Sequence, residues 1–593
     1  MSKKIILFIQ LIFSLAVCAQ NDQLAQNYFD KGDFEKARIS YEELLKTQPS
    51  NGYYFQRIIE SHQQLQQLDK SEELLQNRLK QYNQANLLVE LGYNWQLRKD
   101  NEKAKKYYEQ AIARIGKNPN EVGNVASVFE RKVLLNYALQ AYELALSLEP
   151  KFNFNFQMAL LYGQLGNTEM MIEKFLTEAY TNQQNSLMIQ NQLSRFMTED
   201  ADVNFNESLR KALLVRAQKN QDIFWNQFLS WFYVQQKEYG KAFIQEKAIY
   251  RRNPESFSSI VNLAHLSIEE GENETAKEIL TFVLENTKDL ELLIQSHTYL
   301  IEMRIAAAQE KDLKLIASDL DALLTEFGVS PYSLSLQILQ AHFVTFNLKN
   351  PEIGKEILRT TLKLRLNIYQ SADVKMELAD ILLYEEKFNQ ALIYYSQIEE
   401  DLKNDVVGHQ ASLKAAKTSY FKSDFLWAQK QFKELKSATS QLIANDALEY
   451  FLLINDNTVA DSTQTALKQF AHADYLLYQH KNQEALTQFL AILKSFKGDE
   501  IEGVTLYRLG KTYEKLGDYR SALTQYQALI DNHKEGIYID EAYYYSAEIY
   551  NKQVKDPEKA KSLYEQVIFH HEDSIYFTDA RKKYRQLRGD TTL

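Results

Sequence analysis

From about residue 20 onward, apolar residues recur at helical spacing, three and four positions apart, in short runs separated by one polar turn. Leu506 to Leu529 shows the arrangement most clearly. Leu506, Leu509, Gly510 and Tyr513 share one face of a first predicted helix, Gly517-Asp518-Tyr519 makes the turn, and Ala522, Tyr526 and Leu529 share one face of a second. The pattern returns with a period of about 34 residues. Near the start it reads Leu24-Ala25, Tyr28, Gly32-Asp33-Phe34, Ala37 and Tyr41; further on come Leu91-Gly92, Trp95, Ala104 and Tyr108, and then Leu378-Ala379, Phe388, Ala391 and Tyr395. A small residue in each helix, Gly510 and Ala522 in the clearest copy, lets two antiparallel helices approach closely, so a bulky side chain at Ala522 is expected to pry the pair apart. The final copy, around Tyr543, Ala547, Tyr550 and Ala560, carries an extra residue in its turn, Lys555-Asp556-Pro557.

This pattern resembles the tetratricopeptide repeat, in which an apolar residue precedes Leu-Gly, Tyr, Ala and an aromatic. The resemblance extends over roughly three quarters of the chain. It implies an all-α fold, a right-handed superhelical solenoid of antiparallel helix pairs, whose first helices line a concave face. Three stretches break the pattern: residues 184–220, residues 290–327, read as two long helices stopping at Gly328, and Ala444 to Ser462 with the polar loop Asn455-Asp456-Asn457. They read as degenerate helical hairpins, since none is rich in Gly, Pro or Ser as a linker would be. The expected organisation is a signal peptide (1–19), an N-terminal array (20–183), an irregular helical segment (184–222), a repeat pair (223–289), irregular long helices (290–332), a C-terminal array (333–571) and a capping helix with tail (572–593). In the last, Asp573 or Ser574 is expected to cap a helix with Ile575, Phe577, Ala580, Tyr584 and Leu587 on its apolar face.

Composition agrees with helices. Of 593 residues only 18 are Gly and 7 Pro, too few for the turns of a large β protein. The N-terminus has its own character: Lys3 and Lys4, an apolar run from Ile5 to Val17, then small residues, the three parts of a secretory signal. The run falls short of the roughly 20 residues of a membrane-spanning helix, so no transmembrane helix is expected. Cys18, the only cysteine, is a candidate for lipidation, although Val17 before it is unlike a lipoprotein signal and cleavage after Ala19 fits better. Export to the periplasm or outer membrane of a bacterial envelope is the expected location. Loss of Lys3 and Lys4 would take the net charge from -11 to -13, which weighs against nucleic acid as a partner.

Candidate chemistry is sparse. The sequence holds no HExxH, no Gly-x-Ser-x-Gly and no Gly-rich phosphate loop, and His570-His571-Glu572 lacks further ligands. No enzyme activity, cofactor or metal is expected. Protein or peptide partners are, on either of two surfaces. One is an apolar strip of Phe224, Trp231, Val234, Val261, His265 and Ile268, whose alternative role is to pack against the irregular helices of residues 184–220; the other is tyrosine-rich and mixed in charge, with Tyr507, Lys511 and Tyr544. The reading is a non-catalytic scaffold of the envelope. The alternatives are a lipid-anchored architectural subunit of an outer-membrane-associated complex and an enzyme whose site lies in an irregular stretch.

Overall fold

A computed structural model describes residues 21–197, 203–254, 257–437, 440–458 and 463–589. The signal-like segment, Cys18 and the last four residues lie outside them. The chain divides after Asn220 into two compact units. Among the described residues every regular element is helical, and each unit is an all-α solenoid of antiparallel pairs. The first unit runs from 21–30 and Phe34–Thr47 to Ser186–Phe196 and Val203–Lys219. The second runs from Ile223–Gln235 and Tyr239–Arg252 to Ile539–Ile549, Pro557–His570 and a closing helix, Phe577–Arg588.

Close approach within a pair follows from the small residues. A Cβ on Gly510 would lie 2.3 Å from Cε1 of Tyr526, and one on Gly92 2.4 Å from Cε1 of Tyr108. The facing alanines, Ala522 and Ala104, are buried. The aromatic that fills this gap is often tyrosine for a reason the apolar pattern does not carry. Its hydroxyl donates to an acceptor on the first helix of the same pair: Tyr108 to Gln96 (2.8 Å), Tyr142 to Glu130 (2.7 Å) and Tyr526 to Glu514 (2.9 Å). A buried phenol thus keeps its hydrogen bond while its ring packs in the core.

The turn inside most of the described pairs is a left-handed cap. Gly32, Gly166, Gly271 and Gly517 occupy it with φ of 77°, 74°, 80° and 77°, but so do Gln66, Lys99, Val133, Lys237, Glu386, Ser423, His480 and Lys555. The next amide closes the cap: Asp33 N donates to Tyr28 O (2.9 Å), Leu134 N to Phe129 O (2.8 Å) and Asp518 N to Tyr513 O (2.9 Å). This repeated hydrogen bond sustains positive φ without glycine, which is how so long a repeat array carries so few.

The structure sharpens the irregular stretches. Residues 184–220 hold the pair Ser186–Phe196 and Val203–Lys219, and residues 290–327 hold Leu290–Ala307 and Leu313–Phe327, closed by Gly328 at φ 72°. The third stretch is a single helix, Gln441–Asp456, rather than a hairpin. It stands between Phe425–Leu435 and Thr465–Tyr478. The extra residue of the last copy is absorbed by a π-helical turn, Tyr550–Val554, ahead of Lys555. The closing helix begins at Phe577, later than the sequence suggests. Ser574 accepts from Tyr576 N (3.1 Å) in the turn before it, and Ile575 is 78% exposed instead of packing.

Candidate binding groove

Within the second unit, four cavities follow one another along the first helices of successive pairs. Their volumes are about 700, 920, 650 and 710 Å³. Neighbours share walls: Gln295 and Tyr299 line the first two, Asp380 and Lys414 the second and third, Leu477 and Arg508 the third and fourth. They form one groove from Val261 to Tyr576.

The single helix Gln441–Asp456 shapes the middle of this groove. With it in place, Thr465–Tyr478 reaches back across almost a hundred residues to Ile368–Tyr384. Tyr475 and Tyr478 donate to the carbonyls of Leu383 (2.6 Å) and Asp380 (2.8 Å), and Gln479 Nε2 to that of Tyr384 (2.8 Å). Tyr450 from the inserted helix lines the third cavity with Leu383, Leu413, Phe421, Leu477 and Tyr478. Charges at its edge hold one another. Arg508 pairs with Glu449 (2.9 Å) and lies 3.4 Å from Asp474, whose other oxygen accepts from Tyr420 (3.2 Å). Burial pushes the Asp474 carboxyl up and Arg508 offsets part of that shift. Asp380 accepts from Tyr395 (2.5 Å) and pairs with Lys414.

Charge is uneven along the groove. The second cavity is walled by Glu291, Glu302, Asp373, Glu377 and Asp380 against Lys414 and His342. Burial works against the charged imidazole of His342, yet its contact with Glu377 (3.0 Å) leaves it titrating above the ordinary range. Desolvation by the surrounding cavity wall pushes Glu302 and Asp373 up, although each side chain is itself exposed. At the far end charges balance: Lys511 pairs with Glu514 (3.1 Å), Lys552 with Glu548 (2.6 Å), and Lys583 of the closing helix with Glu548 (2.7 Å) and Asp579 (2.5 Å). The basic residues of that helix include one that turns inward. Among the described residues no group of three or more His, Cys, Asp or Glu side chains is placed to hold a metal ion, and no helix is long and apolar enough to cross a membrane.

The residues singled out from the sequence fall unevenly. Val261 and His265 line the first cavity, Lys511 and Tyr544 the fourth, so two surfaces read as separate supply opposite ends of one groove. Phe224 and Val261, expected on an exposed strip, are buried, because the face of Ile223–Gln235 is apolar nearly all round and Phe224 packs on Trp225 (4.9 Å) and Phe228 (5.4 Å). Trp231, Val234 and Ile268 are half-buried and lie outside these four cavities, Trp231 edge-on to Phe228. Tyr507 stacks on Tyr538 (4.5 Å). The acidic second cavity was missed, since its carboxylates come from helices that the sequence gives no reason to place side by side.

The family described as tetratricopeptide repeat matches residues 505–535 and 541–574, and a second description of the same repeat matches 21–51. These three segments carry the tetratricopeptide repeat. The left-handed turns and the glycine–tyrosine packing carry the same repeat geometry through residues that those matches leave out. No curated protein matches the chain. Solved structures similar to it include Naa15/Naa10 bound to HypK-THB (13% identity, 97% of this chain, 92% of that one, TM-score 0.28) and the APC/C hetero-tetramer Cut9–Hcn1 (12%, 97%, 98%, 0.24). Yeast Tom70 is a third (15%, 82%, 99%, 0.30). The matched repeats 505–535 and 541–574 supply most of the wall of the fourth cavity.

Proposed function

We propose that the protein is a non-catalytic scaffold that holds a protein or peptide partner in the groove of its second unit, at the bacterial cell envelope. The observation that carries this reading is the continuity of the four cavities, which gives an elongated surface with an apolar centre and polar flanks, the make-up of a peptide-binding site. Its charged side chains are mostly paired with one another, an arrangement suited to holding a shape more than to moving protons. The envelope location rests on the signal-like residues 1–19.

Photo-cross-linking in the native envelope tests the binding mode. A photoreactive residue at Gln410, on the rim of the third cavity, is expected to capture a partner, whereas one at Ile393, exposed on the second helix of a neighbouring pair, is not. Equal capture at both positions, or none at Gln410, would remove the groove as the binding surface. The mass of the mature N-terminus decides the anchoring: a chain starting at Gln20 makes the protein a secreted scaffold, and a lipid adduct on Cys18 makes it an anchored subunit.

A further inference from the structure

The groove is chemically graded, and the grading describes an occupant. Its second cavity is the largest of the four at about 920 Å³, and five carboxylates face it against one lysine and one histidine. Glu377 and Asp380 have partners there, His342 and Lys414. Glu302 and Asp373 make no ion pair among the described residues; both side chains are exposed in the wall of the cavity and lie on different helices, Leu290–Ala307 and Ile368–Tyr384. With no cation of the chain within ion-pair distance, these two carboxylates are open to a positively charged ligand. The adjoining third cavity, sharing the Asp380 and Lys414 wall, is lined mainly by apolar and aromatic side chains, and its volume of about 650 Å³ readily admits an indole or phenyl ring.

Resting on the scaffold reading above, we propose that this part of the groove docks an extended segment of a partner protein in which lysine or arginine side chains stand next to one large apolar side chain. The cations lie over Glu302 and Asp373, and the apolar side chain enters the third cavity beneath Gln410. Neighbouring helices pack about 8–10 Å apart and an extended chain advances about 3.3 Å per residue, so a segment reaching from Glu291 to Leu477 is on the order of ten residues long. Arrival of a cation would give Glu302 and Asp373 the kind of partner that Glu377 and Asp380 already have in His342 and Lys414. The apolar anchor would supply most of the affinity and the charges the selectivity.

The test uses the full chain and a fluorescent peptide with a lysine-rich half followed by tryptophan, compared with the same peptide carrying glutamate for every lysine. Anisotropy is expected to show the lysine peptide binding about tenfold or more tighter, the preference shrinking as salt is raised. The double variant Glu302→Gln, Asp373→Asn should lose about tenfold for the lysine peptide, while its thermal midpoint stays close to that of the parent because both positions are exposed and make no ion pair among the described residues. Gln410→Trp, an exposed rim position, should weaken the same peptide by blocking the apolar cavity. Equal affinity for both peptides, no binding of either, or undiminished lysine-peptide binding by the double variant overturns the inference. If a native partner still cross-links at Gln410 in any of those cases, the scaffold reading stands and only this assignment falls. Loss of the cross-link takes both.

Discussion

Val133 has φ 56° in the cap of its repeat and is 72% exposed, so a β-branched side chain occupies a left-handed position and gains no burial there. Val133→Gly is expected to stabilise the first unit by about 1 kcal/mol, read as a higher denaturation midpoint. Gly517 already holds glycine at the same left-handed position, so the sequence pattern recognises some turns by glycine and misses others held by the backbone bond alone. A second residue, Glu541, carries a pH signature. Burial, reinforced by the hydrogen bond and charge of Asp540, pushes its carboxyl up to about 9, and one of its oxygens is buried without a hydrogen-bond partner. Glu449 adds further negative charge. In the unfolded chain this group ionises near 4.5, so between 4.5 and 9 the folded state retains a proton that the unfolded state has released. Stability of the C-terminal repeats therefore falls as pH rises through that window. Glu541→Gln should flatten the fall in a series of denaturation curves, and a variant that keeps the full pH dependence would clear Glu541 of the effect.

At the scale of an element, the fit of one helix against its partner is set by glycine in some places and indifferent to it in others. Alanine in place of a helical glycine ordinarily gains up to about 1 kcal/mol. At Gly510 the added methyl would meet Tyr526 at 2.3 Å, so Gly510→Ala is expected to destabilise by about 1–3 kcal/mol through overpacking. Gly123 lies in Val122–Arg131 with nothing within 4 Å of the added atom, and Gly123→Ala should stabilise. Opposite signs in thermal melts of these two variants check that close approach, and not helix propensity, governs the repeat. Spacing of small and aromatic residues made most pairs legible. The helix in Gln441–Asp456 was legible, but whether it belonged to a hairpin was not, because periodicity reports a helix face and says nothing of whether a second helix follows to cover it.

For the second unit as a whole, each pair contacts mainly its neighbours, so damage at the end should stay near the end. The closing helix buries Ala580, stacks Tyr576 on Tyr544 at 4.3 Å and provides Asp579, which accepts from Tyr544 (2.5 Å). Removing residues 572–593 is expected to speed hydrogen exchange across Ile539–His570 and leave residues 21–197 unchanged; acceleration throughout would mean that the array unfolds as one cooperative body. Tyr576 also lines the fourth cavity, so the truncation opens one end of the groove while sparing its acidic middle.

The sequence by itself determined the repeat, the all-α class and the residues that pack within each pair, because those depend on contacts a few turns apart along one chain segment. Tertiary structure alone decided how the first helices of separate pairs come side by side. Glu302 and Asp373, or Tyr475 and Leu383, are dozens of residues apart, and only the stacking of pairs, with an inserted helix between the latter two, places each couple on one surface. Local periodicity fixes which way a side chain faces within its helix, whereas a binding groove depends on which faces meet.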